Sequence, residues 1–387
     1  MKRARHLIAL PVAACLAALC SCSSSNSAGT TGQDDPLAKV NAAALAPKGI
    51  VGRGPDGAEG RPAGSIVLTP GDIAKARTAK FRVGIVMQTM NVEWSTEQVR
   101  GITDELRKYN AQVVGVVDPD YSVEKQVAGI QNMIQKAPDA ILSIPVDDTA
   151  TAATYKQVAR AGIKLILMDN VPKGMRYPTD YQAMVSSDNQ GDGAVGAKAL
   201  AAYIPRGGAV GVLHFGVDFR VTEDRRAGFV DWMKANRPDI KIKEVEFLDP
   251  AKAGDEAANF LTANPDVQGM FTEWEVPATG IESALRAQGR SLPITSVNIA
   301  SDVALDMAND GMIKAVGAQV PYDQGKAEAK AAIASLLGKQ VPQWIAFPAV
   351  PVTQNNVLDA WRQVYHGNPP AQLTETCRKN HACDSNR

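Results

Sequence analysis

The chain has 387 residues, of which 45% are hydrophobic, 21% charged and 5% aromatic, with 41 basic and 41 acidic side chains. That composition suits a globular protein of two ordinary domains and excludes a disordered or fibrous chain. The charge balance excludes a basic nucleic-acid binder, and five Cys with four His are too few and too scattered for a zinc or iron–sulfur framework.

The N-terminus reads as an address. Lys2, Arg3 and Arg5 precede a nearly continuous apolar run from Leu7 to Leu19, too short to span a bilayer comfortably. Cys20, Ser21, Cys22 and a Ser-rich stretch follow, so residues 1–21 resemble a lipoprotein signal peptide with Cys22 as the lipidated residue. Cys15 fits the same pattern on paper, but would leave the apolar Leu16 to Leu19 in the mature chain. Cleavage before Cys22 removes three basic residues and leaves 38 against 41 acidic, a net charge of −3. Residues 22–80 are rich in Gly, Ala, Pro and Ser, and Gly52 to Gly57 is turn-like. They are expected to form a tether with one short helix near Asp72 to Arg77.

From Arg82 onward the pattern alternates. Arg82 to Met87 is a short apolar run, and Val99, Ile102 and Leu106 recur at helical spacing within Glu97 to Tyr109. Gln112 to Val117, Ala140 to Ile144 and Lys164 to Met168 read as further strands. Ser122 to Lys136 and Thr151 to Ala161 read as the helices between them. After a break near Ser187 the alternation resumes. The strands are Ala209 to His214, Lys243 to Leu248, Gly269 to Phe271, Ile294 to Val297 and Lys314 to Ala318, with helices between them. Most of the strand runs are nearly continuous in apolar residues, as in parallel sheets covered on both faces. The fold class predicted is therefore α/β, with two doubly wound parallel-sheet lobes.

Ligands of such sheets bind beyond the carboxyl ends of the strands. The residues there are Gln88 and Trp94, then Asp169 and Asn170, then Arg225 early in a helix, Trp274 between Glu273 and Glu275, Asn298, and Gln319. Planar polar groups pair with vicinal hydroxyls, and an indole face suits the C–H face of a sugar ring. This set predicts a small polyhydroxylated ligand held between the lobes. Each member has a plainer alternative: an indole lidding the core, a carboxylate capping a loop, an Arg facing solvent.

Gly191-Asp192-Gly193-Ala194-Val195-Gly196 spells the dinucleotide fingerprint of a nicotinamide-dependent oxidoreductase, but Asp188-Asn189-Gln190 separates it from any strand end. There is no P-loop, no zinc-protease motif and no nucleophile elbow. His214 reads as a loop or core histidine. Cys377 and Cys383 lie in a polar tail and are expected to form a disulfide in an oxidising envelope.

Several segments together resemble the type I periplasmic binding proteins of the ribose-binding type, over roughly Lys80 to Val364. They are Val83-Gly84-Ile85-Val86, Asp139 through Asp147, Ser187-Asp188-Asn189, Arg225 with Gly228-Phe229, Asn264-Pro265-Asp266, and Gln319-Val320-Pro321-Tyr322. The resemblance implies two lobes joined by a three-segment hinge, residues 81–187 with 320–348 and residues 188–319 with 349–375, followed by a polar tail at 376–387. It implies a monomeric receptor, outside the cytoplasmic membrane, that hands a sugar or sugar alcohol to an ABC transporter permease, with no cofactor, metal or catalytic residue. A ligand sensor serving a membrane signalling receptor would carry the same cleft. Gln88, Trp94, Asp169, Arg225 and Gln319 fall on sugar-contacting positions of that family. Ile144, Asn170, Trp274 and Asn298 stand where it usually has other residues, which favours a pentose, hexose, deoxy sugar or polyol other than ribose.

Overall fold

The computed structural model describes residues 35–383, and the compact body begins at Pro36. The signal segment and Cys22 lie outside the described residues. Among the described residues no helix is long and apolar enough to cross a membrane.

Two six-stranded sheets form the body. The first takes β1 (Arg82–Val86), β2 (Gln112–Val117), β3 (Ala140–Ser143), β4 (Lys164–Met168), β5 (Ala183–Ser187) and β11 (Trp344–Phe347), in the order β11-β5-β4-β3-β1-β2. The second takes β6 (Ala209–Phe215), β7 (Lys241–Phe247), β8 (Val267–Thr272), β9 (Ile294–Val297), β10 (Ile313–Ala318) and β12 (Val350–Thr353), in the order β12-β10-β9-β8-β6-β7. Every pairing is parallel except β10 with β12. β12 is an edge strand, where the missing N–H of Pro351 is tolerated.

The chain crosses between sheets three times: from β5 into α5 (Asn189–Ala201), from β10 into α10 (Pro321–Leu336), and from β11 into β12. Each sheet is covered by helices whose apolar faces meet the buried strands. In the second lobe α5 and α6 (Arg220–Asn236) approach through glycines. A Cβ on Gly193 would stand 1.9 Å from the Arg225 carbonyl oxygen, and one on Gly228 would stand 2.0 Å from that of Gln190. These glycines set the depth at which Arg225 enters the seam between the lobes.

The expected tether is overturned from residue 36 onward. Leu37 and Leu45 are buried against Val195, Ala199, Ala315 and Ala349. The Val51 and Gly52 amides donate to the Asp188 carboxylate, Arg61 pairs with β11 through Trp344 and Ile345, and Ile66 enters the first lobe's core. The glycines here permit close approach rather than flexibility: a Cβ on Gly54 would lie 2.7 Å from the Trp344 ring, and one on Gly60 2.6 Å from Ala346. The short helix exists as α1 (Pro70–Ala79), started by a Thr69–Asp72 capping box. At the other end Cys377 and Cys383 are joined by a disulfide, and both lie in the second lobe's core beside Leu373.

Candidate functional site

A cavity of about 320 Å³ lies between the carboxyl ends of the two sheets. From the first lobe, β1 delivers Gln88 to it, with Trp94 in the first turn of α2 (Glu93–Lys108). The Trp94 indole N–H donates to Gln319 Oε1 at 2.8 Å, which pins the ring in one orientation as it lines the cavity. Gln319 itself stands behind Trp94, just before the second crossing, and does not line the cavity.

Asp169 follows β4 with φ at 58°, in the left-handed region that Asp and Asn tolerate better than other side chains. Its backbone N–H is held by Val185 at 2.9 Å. Burial pushes its carboxyl up to about 7, although the Arg225 charge and the Ser187 amide act in the opposite direction. The next residue goes elsewhere: Asn170 donates to Asp148 and lines a neighbouring cavity of about 310 Å³, between the lobes and the N-terminal segment. Asp148 is likewise pushed up to about 7 by burial, with the Asn170 hydrogen bond opposing.

The second lobe contributes Arg225, whose Nε donates to Asn189 Oδ1 at 3.0 Å and Nη1 to the Glu273 carbonyl at 2.9 Å. Two of its five donors are thus spent on holding the guanidinium in place, and the others remain for a ligand or for the surrounding carboxylates. Glu273 accepts from the Phe215 amide and supports the loop without lining the cavity. Glu275 does line it, accepts from Asn298 Nδ2 at 3.0 Å, and has its carboxyl raised by burial. Asn298 occupies in this lobe the place Asp169 has in the other, after the fourth strand, and likewise takes a positive φ of 68°. Trp274 packs edge-on to Phe215, with ring centroids 5.4 Å apart, and against Phe247 at 5.3 Å.

The structure therefore gathers Gln88, Trp94, Asp169, Arg225, Trp274 and Asn298 around one cavity and leaves Asn170 and Gln319 outside it. Sequence reasoning passed over Tyr121, Phe219 and Leu248, which also line it. Tyr121 and Leu248 follow β2 and β7, so the rule that selects strand ends would have found them. Three buried acceptors in this wall have no partner: Gln88 Oε1, Asp169 Oδ1 and Asn298 Oδ1. Buried acceptors without partners are costly and mark where a donor belongs.

The glycine fingerprint has a different use. Gly191, Gly193 and Gly196 lie within α5, and a Cβ on Gly196 would stand 2.8 Å from the Phe271 ring, so these glycines serve helix and sheet packing.

Comparison with known proteins places residues 83–340 in correspondence with the family described as periplasmic binding protein domain. The chain is 26% identical over 275 residues to the ribose import binding protein RbsB of Bacillus subtilis (strain 168), covering 71% of this chain and 88% of that one. It is 24% identical over 282 residues to a putative rhizopine-binding protein of Rhizobium meliloti, covering 72% and 91%. Among solved structures, an ABC transporter solute binding protein from Agrobacterium vitis, bound with alpha-D-tagatopyranose, is similar at a TM-score of 0.67 and 25% identity, covering 74% and 99%.

Proposed function

This chain belongs to the periplasmic binding protein domain family, and from that membership we propose that it is an extracytoplasmic receptor which captures a sugar or sugar alcohol and delivers it to an ABC importer. The observation that supports the reading is that Gln88, Asp169 and Asn298, each carrying a buried acceptor without a partner, line one cavity with Arg225 and two indoles. Ligand hydroxyls supply the missing donors, the Arg225 guanidinium donates to a ligand oxygen, and Trp94 and Trp274 cover apolar C–H faces.

Both lobes contribute to the cavity, so a ligand that touches both favours the closed arrangement by its differential affinity for it. The three crossings form the hinge, and closure presents one composite surface to the permease. The reading extends to a monomer held at the outer face of the cytoplasmic membrane, or in the periplasm, by lipid on Cys22.

Thermal unfolding of the purified protein against a panel of aldoses, ketoses and polyols tests this. A ligand present at a hundred times its dissociation constant adds about 2.7 kcal/mol of stability. One strong stabiliser among them is the expected result. No stabilisation by any of them, with stabilisation by an amine or amino acid instead, overturns the reading.

A further inference from the structure

Apolar side chains line the cavity at every depth, whereas most of its polar ones lie in the buried part. Gln88, Asp169 and Arg225 are 7%, 6% and 5% exposed and share its floor with the equally buried Trp94, Ile144 and Val221. The outer wall is mostly apolar and partly open to solvent. Tyr121 (52% exposed) and Val123 come from the first lobe, and Val217, Phe219, Leu248 (66% exposed) and Pro250 from the second. Tyr121 and Leu248 are among the few large hydrophobic side chains left exposed on the described protein, and both are at this cavity. A bare monosaccharide bound at the floor presents hydroxyls in every direction, and those turned outward would meet a wall whose polar groups are few, the Tyr121 hydroxyl and the Asp147 carboxylate among them.

We infer that the ligand is a glycoside, or an ether-substituted polyol, whose sugar ring occupies the polar floor and whose apolar substituent lies between the Tyr121 and Leu248 rims. This rests on the sugar reading above and narrows it to an amphipathic member of that class. The substituent gains from burial on both sides as the lobes close, at about fourfold in affinity per methylene removed from water. Apolar matter at the rim also screens the floor from water and strengthens the polar contacts there.

Titration calorimetry on the full protein decides between the two levels. Aldopentoses and aldohexoses are titrated alone and as their methyl, n-butyl and phenyl glycosides. The expected result is a butyl or phenyl glycoside binding at least tenfold tighter than its parent sugar. A parent sugar that binds as tightly as, or more tightly than, every one of its glycosides overturns the inference and leaves the sugar reading standing. Silence from sugars and glycosides alike overturns both. A second arm asks whether the rims instead seal the lobes against each other. In Leu248→Ser the ratio of glycoside affinity to parent-sugar affinity falls toward one if the rim holds the substituent. An unchanged ratio, with both affinities reduced together, overturns the inference.

Discussion

Asp169 combines a left-handed backbone, deep burial and an oxygen without a partner, and together these make its charge sensitive to a ligand. Besides Arg225, the charges that bear on it are the buried acids Asp192 and Glu328. Because its folded value, about 7, lies above the ordinary carboxylate range, the native protein holds the extra proton. Its contribution to the stability of the ligand-free protein therefore falls as pH rises from about 4 toward 7. A hydroxyl donated to the ionised carboxylate works the other way and draws the value down, so binding releases a proton and affinity rises between pH 5.5 and 8. Calorimetry in buffers of different ionisation enthalpy measures that release. In Asp169→Asn it disappears, the pH dependence flattens, and affinity drops by about 1–3 kcal/mol from the lost charged hydrogen bond.

At the scale of elements, the N-terminal segment and the hinge are joined through one carboxylate. Asp188 caps α5 by accepting from Gly191, and it also accepts from the Val51 and Gly52 amides. The segment from Leu37 to Ile66 touches the second lobe at its start and the first lobe at its end, so it lies along the side of the hinge. Asp188→Ala removes the acceptor for three donors, two of them buried. Urea denaturation is expected to show a loss of about 3 kcal/mol, and limited proteolysis to show faster cutting near Val51. Unchanged stability would mean that the segment is held by its apolar contacts alone. The same region shows why composition misled. Gly, Ala and Pro in series read as a loose linker, yet Gly54 and Gly60 are small because Trp344 and Ala346 lie against them.

For the whole molecule, closure depends on contacts that cross between lobes away from the ligand. Glu93, at the start of α2, accepts from the backbone and hydroxyl of Ser301 in the second lobe, while Lys173 of the first lobe pairs with Asp218 of the second. The Lys173–Asp218 pair is largely exposed and contributes little. The half-buried Glu93 contacts matter more. Glu93→Ala is expected to shift the ligand-free protein toward open forms, which small-angle scattering reads as a larger radius of gyration. Apparent affinity should then fall three- to tenfold, because a smaller fraction of molecules is competent to close. A mutant with unaltered scattering and affinity would show that the hinge segments alone set the balance.

Local pattern alone determined a good deal of this protein. Apolar runs of strand length, alternating with stretches of helical period, were enough for an α/β chain in two blocks. The rule that ligands sit beyond strand ends selected eight residues, of which Gln88, Trp94, Asp169, Arg225, Trp274 and Asn298 line one cavity. Those signals are short-range, carried by side chains a few residues apart. Strands β5, β11 and β12 were missed: each stands at a crossing between sheets, where the regular alternation of strand and helix is interrupted. Adjacent residues were also beyond local reading. Asp169 and Asn170 are neighbours in sequence, but the left-handed turn at Asp169 leaves one at the cavity between the sheet ends and sends the other to Asp148. Gln319 has the chemistry of a ligand contact, and only the packing of α2 against the second crossing makes it the partner of Trp94. Tertiary structure alone decided these points, since each depends on contacts between residues up to some 225 positions apart, about which local pattern is silent.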